Sequence, residues 1–495
     1  MSQPEPSTHQ RLPRVLGPVA ALSTIVGSVI GSGIFIVPAR VARELGQFGL
    51  IALAWVVGGL FSLAGALTLS ELAAMMPRAG GPYVYLREAY GRVPAFLFGW
   101  TEFLVIRSGS MATLAAAFAL YASQLDALKP PAGWNPALWL STLACAAMAV
   151  VAVVNVLGTH WGGALQIAGT VMKVGALLTM IALAFTSNQA VSVFSVLFGF
   201  HGGRGGPSND PAFFRRFMLA MVGILWAYDG WVNTSNLAEE VRDPGRNLPR
   251  ALILGTLVLI ALYLGTTLAY HLVMPMDQVA AASTEKGSSS AVSAEFMGRI
   301  LGTPGVTLIA AVVMISTFIS LNGNVLSGPR AYFALARDGL FPASLERIDP
   351  RFRTPSNAIV AQTVWAITLT ILGTLPIVLP APEGATGLAA AWRTLGETPL
   401  YDLLYTYVIF GATIFYALAI ASVFVLRRTR PSLDRPYRTF LYPITPIIFL
   451  LGAAILLGSM LIQQPFESLA GLGIIALGLP AYALIARPRR SPADA

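Results

Sequence analysis

Two short stretches carry residue types that an apolar helix does not need. In Val26-Gly27-Ser28-Val29-Ile30-Gly31-Ser32-Gly33-Ile34-Phe35, three glycines and two serines fall within seven residues. Glycine inside a helix costs about 1 kcal/mol relative to alanine. In a bilayer, a break also exposes N–H and C=O groups that cost several kcal/mol each when unpaired. Such a break persists only where something polar fills it. Once the helix stops, the N–H groups of Ser32, Gly33 and Ile34 open a second half-helix and suit an anion such as a carboxylate. The carbonyls of Val29 and Ile30 end the first half and suit an ammonium. GxxxG packing through Gly27 and Gly31 is the plainer alternative, but Ser32 and Gly33 extend the small run beyond it.

The second stretch is Trp226-Ala227-Tyr228-Asp229-Gly230-Trp231. A carboxylate at mid-membrane costs roughly 2.5–3.5 kcal/mol on the lenient insertion scale, so Asp229 must be buried, paired or in contact with water. It can face a ligand, or it can cap the half-helix that begins at Gly230; both readings stay open. Trp226, Tyr228 and Trp231 are core aromatics or rings that close over a ligand. Lys173 lies deep in another apolar run, too far from either end to snorkel easily. Its ammonium can fill a cation site, or pair with Glu102 or a carbonyl for packing alone. Glu102 and Arg107 stand five apart, an unfavourable spacing for a pair on an α-helix.

The elements that must hold these residues are membrane helices. Of 495 residues, 55% are hydrophobic and only 11% charged, with mean hydropathy +0.68. A soluble domain carries about 25% charged residues. Twelve apolar segments can be drawn between 18 and 486, with a tail at 1–17 and another at 487–495. Met1 to Gly17 shows no cleavable signal pattern. The net charge of +9 reflects loop arginines rather than a nucleic-acid surface. With the N-terminus inside, 21 of the 32 Lys and Arg residues fall on the cytoplasmic side and 9 opposite, which predicts cytoplasmic termini in the cell (inner) membrane. The glycine-rich loop His201 to Asp210 falls on the outer side, and the longer loops at 275–303 and 380–399 have room for short surface helices. The two breaks lie five segments apart, so the second unit enters with opposite polarity, as an inverted repeat of five plus five helices requires. No histidine or carboxylate grouping has metal-ligand spacing, and the phosphate-binding Walker pattern is missing, so neither an enzyme, a cofactor nor ATP-driven transport is expected. Cys145, the single cysteine, lies in an apolar segment, which rules out an internal disulfide.

The residues also resemble a known family. Val26 to Phe35 resembles the first-helix motif of the amino acid–polyamine–organocation superfamily, and Pro77 to Gly91 resembles its loop between helices 2 and 3. Trp226 to Trp231, followed by Glu239 to Pro249, is similar to the L-type amino acid transporters. So are Asn322-Gly323 and Arg435-Pro436-Tyr437-Arg438. The resemblance implies an all-α integral membrane protein with a LeuT-like fold, in which helices 1 and 6 are broken. It implies a substrate amine held at Val29, Trp226 and Asp229 and a carboxylate held at Ser32 and Gly33, with Ile30, Gly31, Ala227 and Gly230 completing the two breaks. It also implies Trp226 as gate and Lys173 as the helix-5 lysine of sodium-independent members. The cysteine that joins animal members to a heavy subunit has no counterpart between helices 3 and 4, so a stand-alone permease is expected. The expected function is a sodium-independent secondary amino acid permease, an exchanger for neutral or cationic L-amino acids. A proton-coupled symporter and a transport-inactive membrane sensor are the alternatives.

Overall fold

The first break determines how the rest of the bundle packs. In the computed structural model, which describes residues 12–188, 190–198, 212–282, 292–384, 386–397 and 400–486, helix α1 (Pro18–Val29) stops at Ile30, whose ψ of 80° is not helical. Helix α2 (Gly33–Leu45) then starts three residues later. The pair is bent by 42°. Proline at the first position of α1 removes an N–H that would have no partner there. Gly46, with φ of 66°, ends α2 in the left-handed region that favours glycine.

The chain continues through α3 (Phe48–Met75), the short α4 (Pro82–Tyr90) and α5 (Arg92–Thr101). A wide turn at Glu102–Ile106 joins α5 to α6 (Arg107–Ala122), with the Arg107 N–H reaching the Glu102 carbonyl five residues back. Next come α7 (Pro136–Val156), α8 (Thr159–Thr186), α9 (Val193–Phe198), α10 (Phe213–Tyr228) and the single turn α11 (Asn233–Asn236). Helix α7 is capped by Asn135, whose side chain accepts from the Ala137 N–H at 2.9 Å. The second half holds α12 (Pro244–Val273), α13 (Met276–Ala281), α14 (Val292–Leu301), α15 (Thr303–Ser327), α16 (Pro329–Arg337) and α17 (Ser356–Val378). It ends with α18 (Leu388–Glu397), α19 (Leu400–Thr429), α20 (Ile444–Gln463) and α21 (Pro465–Ile485). Helices α13, α14 and α18 occupy the two longer connections. Among the described residues the only β-type pairing is one bridge, Leu16 with Val241.

Ten helices among the described residues are long and apolar enough to cross a membrane, and the bent α1–α2 pair makes eleven. The sixth expected segment, 214–238, is a 16-residue helix, a break and one turn. The 201–210 loop and the tail from 487 lie outside the described residues, as do residues 1–11. Helix α1 packs against α8, α12 and α15, and α2 packs against α10. Both breaks are therefore enclosed in protein, where irregular backbone at membrane depth is tolerated.

Candidate functional site

The two breaks meet. A Cβ on Gly33 would lie 2.7 Å from the Ala227 Cα, so only glycine lets α2 approach α10 this closely. The second break is narrower than the sequence suggests, because Trp226, Ala227 and Tyr228 are still helical. The chain leaves the helix at Asp229 (ψ 149°) and turns at Gly230 (φ 113°), a conformation open to glycine. The Asn233 N–H returns to the Gly230 carbonyl at 3.1 Å. Between the breaks lies a cavity of about 20 Å³. It is lined by Val29, Gly31, Ser32, Gly33, Trp226, Asp229 and Gly230, together with Ser28, Ser110, Leu114 and Asn324. That volume holds about one water, so an amino-acid-sized ligand enters only if a wall moves.

Two of the expected residues are placed elsewhere. The Ile30 carbonyl points at α8 and α15, where Lys173 Nζ (2.6 Å) and the hydroxyls of Ser316 and Ser320 (both 3.0 Å) donate to it. The Ala227 carbonyl lies 2.9 Å from the Tyr263 hydroxyl of α12. Tyr263 also stands 3.0 Å from the Val29 carbonyl. A phenol has one proton to donate, so Tyr263 serves the carbonyl of one break at a time.

Lys173 is fully buried and directed at the first break. Its Nζ donates to the carbonyls of Gly27 and Ile30, both at 2.6 Å, and to Ser320 Oγ at 2.7 Å. An ammonium has three donors, and three oxygens receive them. Those partners offset the cost of a buried charge and close the orphan carbonyls that the break leaves at the end of α1. Glu102 plays no part in this.

Glu102 and Arg107 do pair, contrary to what their spacing on an α-helix suggests. Glu102 Oε1 accepts from Arg107 Nε at 2.8 Å, and both side chains are buried. The reason is the wide turn: its hydrogen bond from the Arg107 N–H to the Glu102 carbonyl, five residues back, brings the two side chains closer to one face than an α-helix would. Arg107 also donates to Asn233 Oδ1 and, at 3.1 Å, to Asn324 Oδ1 in the cavity wall. Asp229 accepts from the Tyr416 hydroxyl of α19 at 3.2 Å. Of the three aromatic residues, Trp226 lines the cavity. Tyr228 packs in the core against Trp55 and Tyr263, and Trp231 against Tyr416 and Phe449.

Ser110, Leu114, Tyr263, Asn324 and Tyr416 went unrecognised in the sequence. A signal for one group was present. Ser316, Ser320 and Asn324 recur every four residues in apolar α15, which places them on one face. Tyr263, one of two tyrosines in α12, and Tyr416, one of four in α19, stood out by no such pattern. Asn322, inside the quoted Asn-Gly pair, belongs to a separate buried network with Asn155 (2.8 Å) and Gln166 (2.9 Å).

At the end of the bundle that carries α4 and α16, ion pairs close the structure. Arg330 donates to Glu240 at 2.8 Å with both buried. Glu239 accepts from the N–H groups of Leu12 (2.9 Å) and Ala79 (3.1 Å) and from Arg337 (3.3 Å). Asp338 accepts from the Tyr83 hydroxyl at 2.5 Å and from Arg87. Burial, and then the Asp338 charge, push the Tyr83 phenol up, so it remains a donor.

A polar cavity between two broken membrane helices, with a lysine bound in one break, defines a transporter rather than an enzyme. Comparison with known proteins agrees: residues 16–476 match the family model for amino acid permeases, and the chain belongs to that family. It is similar to the serine/threonine exchanger SteT of Bacillus subtilis, at 29% identity over 95% of this chain and 96% of the relative. It is 30% identical to the human b(0,+)-type amino acid transporter 1, over 97% of this chain and 89% of the relative. The mouse Asc-type amino acid transporter 1 is also 30% identical, over 97% and 82%.

Proposed function

We propose that the chain is a sodium-independent secondary amino acid permease that exchanges neutral or cationic L-amino acids by alternating access. The observation that carries this reading is Lys173, whose ammonium already occupies the oxygen cage formed by Gly27, Ile30 and Ser320. With the Lys173 Nζ bound to those three oxygens, sodium has no vacancy to fill. The N–H groups that open α2 at Ser32 and Gly33 take the substrate carboxylate. The amine is held by backbone at Val29, Trp226 and Asp229, while Ile30, Gly31, Ala227 and Gly230 shape the breaks. Relatives described as an exchanger and as amino acid transporters support the same chemistry.

In this reading residues 18–486 form one transporter domain of twelve helices in a LeuT-like five-plus-five repeat. The eleven apolar spans, together with α10 and α11 around the second break, support that count. The 21-to-9 distribution of basic residues supports a cell-membrane protein with tails 1–17 and 487–495 in the cytoplasm. Cys145 sits within α7 and is partly buried, so a disulfide-linked heavy subunit is not part of the proposal. A proton-coupled symporter is the second reading, favoured by two carboxylates within the bundle, buried Glu102, which pairs with Arg107, and partly buried Asp229 in the cavity wall. Uptake of a panel of labelled amino acids into proteoliposomes decides between them. Exchange predicts uptake that depends on amino acid loaded inside. Uptake into empty vesicles, driven by an inward proton gradient, would replace it with symport.

A further inference from the structure

The cavity wall at Trp226 continues into a layer that the substrate contacts above do not use. The Trp226 indole stacks on the Tyr405 ring of α19, with centroids 5.9 Å apart at 30°. Tyr405 is buried. Its hydroxyl receives an N–H from Arg40 of α2, and the Arg40 guanidinium carbon lies 5.7 Å from the same ring centroid. Arg40 thus ties α2 to the α19 ring on which the indole stacks. It follows Gly33 by seven residues, two helical turns, so it shares a face with the carboxylate-binding start of α2 and lies about 10.5 Å further along.

We propose that Arg40 is a further substrate-recognition residue, an outer latch that exchanges the Tyr405 hydroxyl for the carboxylate of an arriving amino acid. The proposal rests on the permease reading, including its assignment of this end of α2 to the outer face. A phenol oxygen is a neutral acceptor, whereas a carboxylate is charged and can take two parallel N–H groups from one guanidinium. An arriving carboxylate therefore displaces Tyr405, and Tyr405 returns when the carboxylate moves inward. Releasing Tyr405 also frees the indole stacked beneath it. That matters because the closed cavity, at about 20 Å³, has no room for an amino acid. Arrival and opening then become one event. If Arg40 only anchored α2 at the membrane surface, its loss would impair transport from both faces alike.

The test measures KM for one transported amino acid from each face, using right-side-out and everted membrane vesicles with equal amounts of transporter. Arg40→Gln is expected to raise the outer KM about tenfold and the inner KM by less than about twofold, with Arg40→Lys recovering most of the loss. Equal shifts on both faces, or no outer shift, overturn the proposal. Tyr405→Phe keeps the ring but removes the competing acceptor, so it is expected to lower the outer KM. A raised outer KM in that variant also overturns the proposal, and this variant decides the matter if Arg40→Gln does not reach the membrane. Should the wild-type protein carry no amino acid, the permease reading fails and this one falls with it. Wild-type transport with an unaltered Arg40→Gln profile removes only the latch.

Discussion

Lys173 Nζ and the Ile30 carbonyl meet at 2.6 Å, which joins the amine on α8 to the first residue of the first break. The break and the lysine are therefore one device. Without the ammonium, the Gly27 and Ile30 carbonyls lose their strongest donor; without the break, the Ile30 carbonyl would be taken by its own helix.

The first prediction concerns the ion. Uptake should persist when external sodium is replaced by choline, because Lys173 fills the cage. Lys173→Ala should abolish most transport. It should also lower thermal stability in detergent, since each buried carbonyl left unsatisfied costs about 1–3 kcal/mol. An absolute sodium requirement in the wild-type protein would contradict this.

The second prediction concerns the headgroup. If the N–H groups that open α2 take a carboxylate and the backbone around the breaks takes an amine, both ends of a free amino acid are read. Free amino acids should compete for uptake of a labelled substrate. Their amides and N-acetyl derivatives should not, and equal competition by an amide would show that the carboxylate is not read.

Much of this site was legible in the sequence because it depends on local rules. Glycines and serines in an apolar run forecast the break at Ile30 to Ser32. A lysine deep in an apolar run forecast a cation site or a polar partner, and the stretch Trp226 to Trp231 forecast a second break, which the structure narrows to Asp229 and Gly230. Pairings that depend on tertiary packing were not legible. No spacing rule shows that Tyr263 stands between the Val29 and Ala227 carbonyls, or that Tyr416 reaches Asp229. The Glu102–Arg107 pair was hidden for a different reason. It needs a five-residue turn, and α-helical periodicity predicts the two side chains on different faces.

The third prediction addresses that pair. Glu102→Leu leaves the Arg107 guanidinium buried without its carboxylate, at a cost of about 3–5 kcal/mol. The variant should show a clearly lowered melting temperature in detergent. Glu102→Leu combined with Arg107→Met removes both charges and should recover much of that loss. A single variant as stable as wild type would mean that water reaches the site and solvates the arginine.

The last prediction concerns the side chain of the substrate. Asp229 lines the cavity, accepts from Tyr416 at 3.2 Å, and keeps its backbone at the mouth of the second break. If its carboxylate is ionised and faces the substrate, it should attract lysine, arginine or ornithine. A charge-assisted hydrogen bond is worth about 1.5–3 kcal/mol, a ten- to hundredfold preference. If Asp229 instead serves only to end α10 and orient Tyr416, a neutral substrate fills the cavity. Asparagine separates the two, because it keeps an oxygen for Tyr416 but carries no charge. Under the first reading, Asp229→Asn removes cationic uptake and spares alanine or leucine uptake, measured side by side in the same proteoliposomes. An equal fall for both classes, or a wild-type protein that carries no cationic amino acid, would make Asp229 structural and the permease one for neutral amino acids.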